Sequence, residues 1–148
     1  IQRERLLNIE MTYDQFKEVF SDKEQCLKAL SNYKWESGYA CIKCGNRSHS
    51  ETKPLFGKRC SKCGYHESAT TNTLFHGVKF PIEKAFYILY VTINRNNHTL
   101  SELSETLQIR RNTISDFKKR INSLEREDHI RLQEIFRKVD PTLLVSSK

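Results

Sequence analysis

The chain has 148 residues, 37% of them hydrophobic and 29% charged, enough for one domain or two to three small modules. Its longest apolar run, Ala85 to Ile93, falls far short of the ~20 residues that span a bilayer. No secretory leader opens the sequence, and 10% aromatic content argues against disorder, so a cytoplasmic protein without membrane partners is expected. Net charge is +7, from 25 basic and 18 acidic side chains, and it is unevenly spread. Residues 1–36 carry 6 basic and 7 acidic groups, residues 37–80 carry 7 and 2, and residues 81–148 carry 12 and 9. The surplus begins at the first cysteine pair. Such a surplus attracts polyanions, although ordinary solubilising charge gives the same arithmetic.

In chain order, Thr12-Tyr13-Asp14-Gln15 reads as a capping box before a helix carrying Phe16, Val19 and Phe20. Ser21-Asp22-Lys23-Glu24 reads as a second box, before Cys26, Leu27 and Leu30, with Tyr33 and Trp35 following. Residues 1–36 are thus a helical lead. Residues 37–80 lose helical periodicity and are rich in Gly, Ser, Thr and Lys, which predicts short β-strands with a turn near Pro54 and Gly57. From Pro81 the helical pattern returns, with a stretch to Asn94 that is apolar nearly all round and so predicts a buried helix. Thr99-Leu100-Ser101-Glu102 opens a helix with Leu100, Leu103 and Leu107. Gln108-Ile109-Arg110 breaks it, and a further helix carries Ile114, Phe117, Ile121 and Leu124. Residues 128–148 form a last helix and tail, with Leu132, Ile135, Phe136 and Val139 as a stripe stopped at Asp140-Pro141. The fold class expected is α+β: short N-terminal helices, a small β zinc ribbon over 37–80, and a C-terminal all-α helix-turn-helix bundle over 81–127.

Five cysteines without a secretion signal argue against a disulfide framework. Four of them form Cys41-x-x-Cys44-Gly45 and Cys60-x-x-Cys63-Gly64. Each pair supplies two thiolates from one tight loop, and each following Gly permits a positive φ. The gap between the pairs suffices for a hairpin, so one structural Zn²⁺ on Cys41, Cys44, Cys60 and Cys63 is expected. Four thiolates close the shell and leave no position for catalytic water. A rubredoxin-type iron site uses similar knuckles with a longer gap. A redox pair would want a βαβ context that is missing here. His49 and His66 read as surface residues, and Cys26 as a buried small hydrophobe.

Lys43, Arg47, Lys53, Lys58, Arg59 and Lys62 surround the cysteines, with Glu51 and Glu67 opposing them. The helix pair after the ribbon has helix-turn-helix proportions. Opposite its core stripe, the second helix carries Arg111, Asn112, Ser115, Lys119, Asn122 and Arg126, a mixture able to reach bases and phosphates. A solvated face in a plain bundle would look the same.

The order of these segments, with GYACIKCG, KRCSKCGYHESATTNTLFHGVKFPIEKAF and LSELSETLQIRRNTISDFKKRI, resembles the N-terminal region of bacterial insertion-sequence transposases of the DDE type over about residues 12–125. Asn72 stands where that family usually has Gly, and Phe86 near where it often has Trp. The resemblance implies recognition of terminal inverted repeats in double-stranded DNA. Arg110, Arg111, Asn112, Ser115 and Lys119 would face the major groove, and Lys118, Lys53, Lys58, Arg59 and Lys62 would contact phosphates. In that family an RNase H-like nuclease domain follows, holding divalent metal on spaced carboxylates. The 22 residues after Arg126 (127–148) hold no such triad, so neither DNA cleavage nor a small-molecule substrate is expected of this chain. The alternatives are a stand-alone transcription regulator and a protein-interaction module, the latter dimerising through the C-terminal helix.

Overall fold

A computed structural model describes residues 11–53, 56–94 and 98–137. It is α+β, with six helices and one small antiparallel sheet among the described residues. Helix α1 spans Tyr13–Val19 and starts at the expected box: the Thr12 hydroxyl accepts the Gln15 N–H at 3.1 Å, and the Gln15 carboxamide accepts the Thr12 N–H at 3.0 Å. Helix α2 spans Lys23–Lys34. Its cap is Asp22 and not Ser21, with the Asp22 carboxylate accepting the Gln25 N–H at 3.0 Å. The two are comparable caps, and Asp also brings a negative charge to the positive helix end.

Strands β1 (His49–Thr52), β2 (Gly57–Cys60) and β3 (His66–Glu67) pair in the order β1-β2-β3. His49 faces Cys60, Thr52 faces Gly57, and Arg59 faces His66. Gly57 is required by crowding. A Cβ there would meet the Glu67 carbonyl oxygen at 2.6 Å and His66 Nε2 at 2.7 Å.

Four helices follow: α3 (Ile82–Ile93), α4 (Leu100–Leu107), α5 (Arg111–Asn122) and α6 (Arg126–Arg137). As its pattern predicts, α3 is buried on most sides, from Ala85 through Val91 and again at Ile93. Around it lies an aromatic cluster. Phe86 stacks on Phe75 at 5.0 Å and meets Phe20 and Phe136. Phe16 packs on Tyr87, Tyr90 and Phe136, and the Tyr90 hydroxyl accepts the Met11 N–H at 2.8 Å.

One continuous core draws on the helical lead, on Ala69 and Phe75 beyond the sheet, and on α3 to α6, so it crosses the compositional boundaries near residues 36, 80 and 127. Leu132, Ile135 and Phe136 of the tail stripe are packed into it; Val139 and Asp140-Pro141 lie outside the described residues. Among the described residues no helix is long and apolar enough to cross a membrane.

Cations fasten the helices to the loops. Lys34 bonds the Glu67 carboxylate at 2.6 Å, the Ser68 carbonyl at 2.9 Å and the Thr71 carbonyl, joining α2 to the end of β3. Arg120 donates to the Leu74 and His76 carbonyls at 2.9 and 3.1 Å, joining α5 to the loop before α3. Lys84 donates to the Leu107 carbonyl at 2.6 Å and closes the end of α4. Asn72 adopts φ 60°, the left-handed turn expected where Gly would otherwise serve.

Gly57→Ala should cost about 1–3 kcal/mol, the usual range for overpacking, because the obstructing atom is backbone. Thermal unfolding checks this, and an unchanged transition would contradict the close approach of β2 and β3.

Candidate metal centre and basic helix face

The two cysteine turns are built alike. In the first, the Cys41 N–H donates to the Asn46 carbonyl at 2.9 Å and the Gly45 N–H to the Cys41 carbonyl at 2.7 Å. In the second, the Cys60 N–H donates to the Tyr65 carbonyl at 2.9 Å and the Gly64 N–H to the Cys60 carbonyl at 3.0 Å. Gly45 and Gly64 take φ of 79° and 80°, as the sequence predicts. The β1–β2 hairpin folds one turn onto the other, with the Ser61 N–H bonded to the Ser48 carbonyl at 3.0 Å.

All four sulfurs then lie within 4.8 Å of one another. Cys41 and Cys63 are 3.6 Å apart, as are Cys44 and Cys60. A tetrahedron with metal–sulfur bonds of about 2.3 Å has edges of about 3.8 Å, so the cluster can hold one metal ion. The local donors favour thiolates at the two buried cysteines, whereas at Cys44 the Asn46 N–H is outweighed by burial and the other three cysteines, which push the thiol up to about 11. The Cys63 N–H, followed by that of Lys62, pulls the Cys60 thiol down to about 6 against the effect of burial. Burial pushes Cys41 up, but the Cys44 and Lys43 N–H groups outweigh it and its pKa falls. Cys44 and Cys63 are exposed, whereas Cys41 and Cys60 are buried.

The remaining candidates stand apart from this cluster. Cys26 is fully buried in the helical core, which pushes its thiol up to about 12. His49 shares hydrogen bonds with Glu51 at 3.2 Å and Lys58 at 3.3 Å, while His66 bonds the Thr52 hydroxyl at 2.8 Å. Both rings are half-buried rather than freely exposed.

The predicted phosphate contacts divide into two kinds. Lys53, Arg59 and Lys62 are exposed, Arg59 also donating to the Gly64 carbonyl at 3.1 Å. Lys58 is different. It faces Glu51 across the β1–β2 pair, bonds its carboxylate, and lies 5.1 Å over the Trp35 ring. The Lys58 ammonium, ahead of His49, holds Glu51 below the usual carboxylate range.

Helices α4 and α5 are joined through residues 108–110, with Gln108 left-handed at φ 59° and the Ser104 hydroxyl donating to the Ile109 carbonyl at 2.6 Å. Leu103 and Leu107 of α4 and Ile114, Phe117 and Ile121 of α5 are buried. Arg110, Arg111, Asn112 and Lys119 are exposed, while Ser115 and Lys118 are half-buried. Arg111 donates to the Ser101 hydroxyl at 3.0 Å, bracing one helix against the other. No side chain caps the start of α5. Its charge balance alone does not reveal that Arg120 serves the 74–76 loop; only its place beside Phe117, on the margin of the apolar stripe, hints at it.

Comparison of the chain with protein-family models, curated proteins and solved structures finds no match.

Reconstituted protein should carry one metal ion per chain in native mass spectrometry, and Cys44→Ser should lose it. Chelation should remove amide-exchange protection from β1 and β2 while α3 keeps its own. Sheet protection that survives complete metal removal would rule out a folding role for the cluster.

Proposed function

We propose that the chain is the zinc-dependent DNA-binding region of a transposase-like protein that reads terminal inverted repeats. Cys41, Cys44, Cys60 and Cys63 hold a structural Zn²⁺, since four thiolates in a closed tetrahedron suit a borderline-soft ion and leave no position for catalysis. The two turns and the three strands are a zinc ribbon. Helices α4 and α5 are a helix-turn-helix lying on α3, with α5 as the reading helix. The observation that carries this reading is the division of α5. Its apolar side is completely buried, and Arg110, Arg111, Asn112 and Lys119 face solvent on the other side.

Each residue then has a physical role. Arg110, Arg111 and Asn112 stand at the start of α5, the end of a reading helix that reaches base edges. Arg forks onto guanine and Asn onto adenine, whereas Ser115 offers a short hydroxyl. Lys119 faces the groove with them, while Lys118 and the exposed ribbon cations Lys53, Arg59 and Lys62 neutralise phosphates and release counterions. Lys58 adds less, because Glu51 already balances its charge. Asp116, also exposed, keeps phosphate away from its side of α5.

The test uses duplexes enriched from a random pool against scrambled duplexes of the same composition. Arg111→Ala should lower discrimination by about 1–3 kcal/mol at one base position. Lys62→Ala should weaken every duplex alike and reduce the salt slope by about one. Equal affinity for enriched and scrambled duplexes, or identical behaviour of the two variants, would overturn the reading.

A further inference from the structure

The two cysteine turns match in their backbone but not in what surrounds their sulfurs. Cys60 Sγ accepts the N–H groups of Lys62 at 3.3 Å and Cys63 at 3.4 Å, and it also has the Asn46 carboxamide at 3.6 Å. Cys41 Sγ, equally buried, accepts the Lys43 N–H at 3.3 Å, and among the described residues no side chain outside the cluster donates to it. Asn46 holds the fifth position after Cys41. The corresponding residue after Cys60 is Tyr65, whose ring packs in the small core beside the cluster. One buried thiolate therefore has a side-chain donor and its counterpart has none.

Beside Cys41 is a donor without an acceptor. Tyr39 is 4% exposed and belongs to the same small core as Cys41 and Cys60, with Trp35 and Tyr65 packed against it. Its ring is fixed against His49 at 4.7 Å and Trp35 at 6.3 Å. Its hydroxyl is buried with no hydrogen-bond partner. A buried hydroxyl without a partner is costly, and it gains most from a charged acceptor.

We propose that Tyr39 is a positioning residue for the metal centre, its hydroxyl donating to the Cys41 thiolate once the four cysteines are loaded. This rests on the four-cysteine metal reading. The bond would give Cys41 the side-chain donor that Asn46 gives Cys60, fixing the sulfur's direction and easing its negative charge. Such outer partners typically govern metal affinity by 10–100-fold. The rival acceptor is Glu67 Oε1, also buried and without a partner on a carboxylate whose other oxygen is held by Lys34.

The experiment loads the full chain with Co²⁺ and compares it with Tyr39→Phe, which keeps the ring and removes only the hydroxyl. The variant should show the same far-ultraviolet circular dichroism, a displaced thiolate-to-cobalt charge-transfer band, and metal affinity lower by about 10–100-fold in chelator competition. An unmoved band with affinity within about twofold of the parent overturns the proposal. So does a lower unfolding temperature with the band unmoved, which would assign the hydroxyl to Glu67. A parent chain that shows no tetrathiolate cobalt spectrum defeats the metal reading itself. Should Tyr39→Phe fail to fold, ¹¹³Cd-loaded parent protein decides: a slowly exchanging tyrosine hydroxyl proton coupled to cadmium supports the bond, and absence of that coupling overturns it.

Discussion

Four sulfurs held within 4.8 Å are the constraint that ties the two cysteine turns together in the sheet half of the molecule. The sheet behind them has strands of four, four and two residues. A hairpin of that size is marginal in water, and the small core beside it consists of Tyr39, Cys41 and Cys60 with two partly buried aromatics. Such a core cannot offset the entropy of ordering some thirty residues. Backbone donors make Cys41 and Cys60 readier to ionise, but sulfurs this close repel one another once ionised, and Cys44 is pushed up by its neighbours. Only a cation among them turns that repulsion into cohesion, so the features that favour thiolates would also make the fold of this segment depend on metal.

The helical half is built on the opposite principle. Phe16, Phe20, Phe75, Phe86, Tyr90 and Phe136 come from three helices and one loop and converge on one continuous core. Apolar burial of this kind is cohesive without any ion. The two halves meet at a few polar fasteners. Lys34 anchors the end of β3 to α2, and its partner Glu67 is 2% exposed, so the pair is protected from solvent screening. Burial lowers the Lys34 pKa, opposed by the Glu67 carboxylate, so an uncharged Glu67 would leave a costly buried cation. Ala69 and Phe75, just beyond the sheet, enter the main core and carry the chain from one half to the other.

Much of this was legible in the sequence because it rests on local rules. The boxes at Thr12 and Thr99, the all-round apolar pattern of α3, and the glycines after Cys44 and Cys63 each report a conformation fixed within four residues. The ligand set was legible because the knuckle spacing carries its own geometry. What escaped was long-range. That Lys58 meets Glu51 depends on the hairpin register, and that Arg120 meets the 74–76 loop depends on how α5 lies against the turn before α3. The tail stripe had two readings, as an internal face or an exposed one, and only the packing of Phe136 against four rings distinguishes them.

The same distinction changes the meaning of the net charge. A surplus of +7 treats every cation alike, but the structure separates two populations. Lys34, Lys58, Lys84, Arg120 and Arg131 bond carboxylates or carbonyls of this chain, and their contribution to an outside polyanion is largely spent. Arg110 just before α5, Arg111 and Lys119 on it, and Lys53 and Lys62 near the cysteine turns are exposed. Lys23, Lys28, Lys43, Arg47, Lys79 and Arg126 are exposed as well, so the outward charge is spread over the surface and the net charge alone marks no single face.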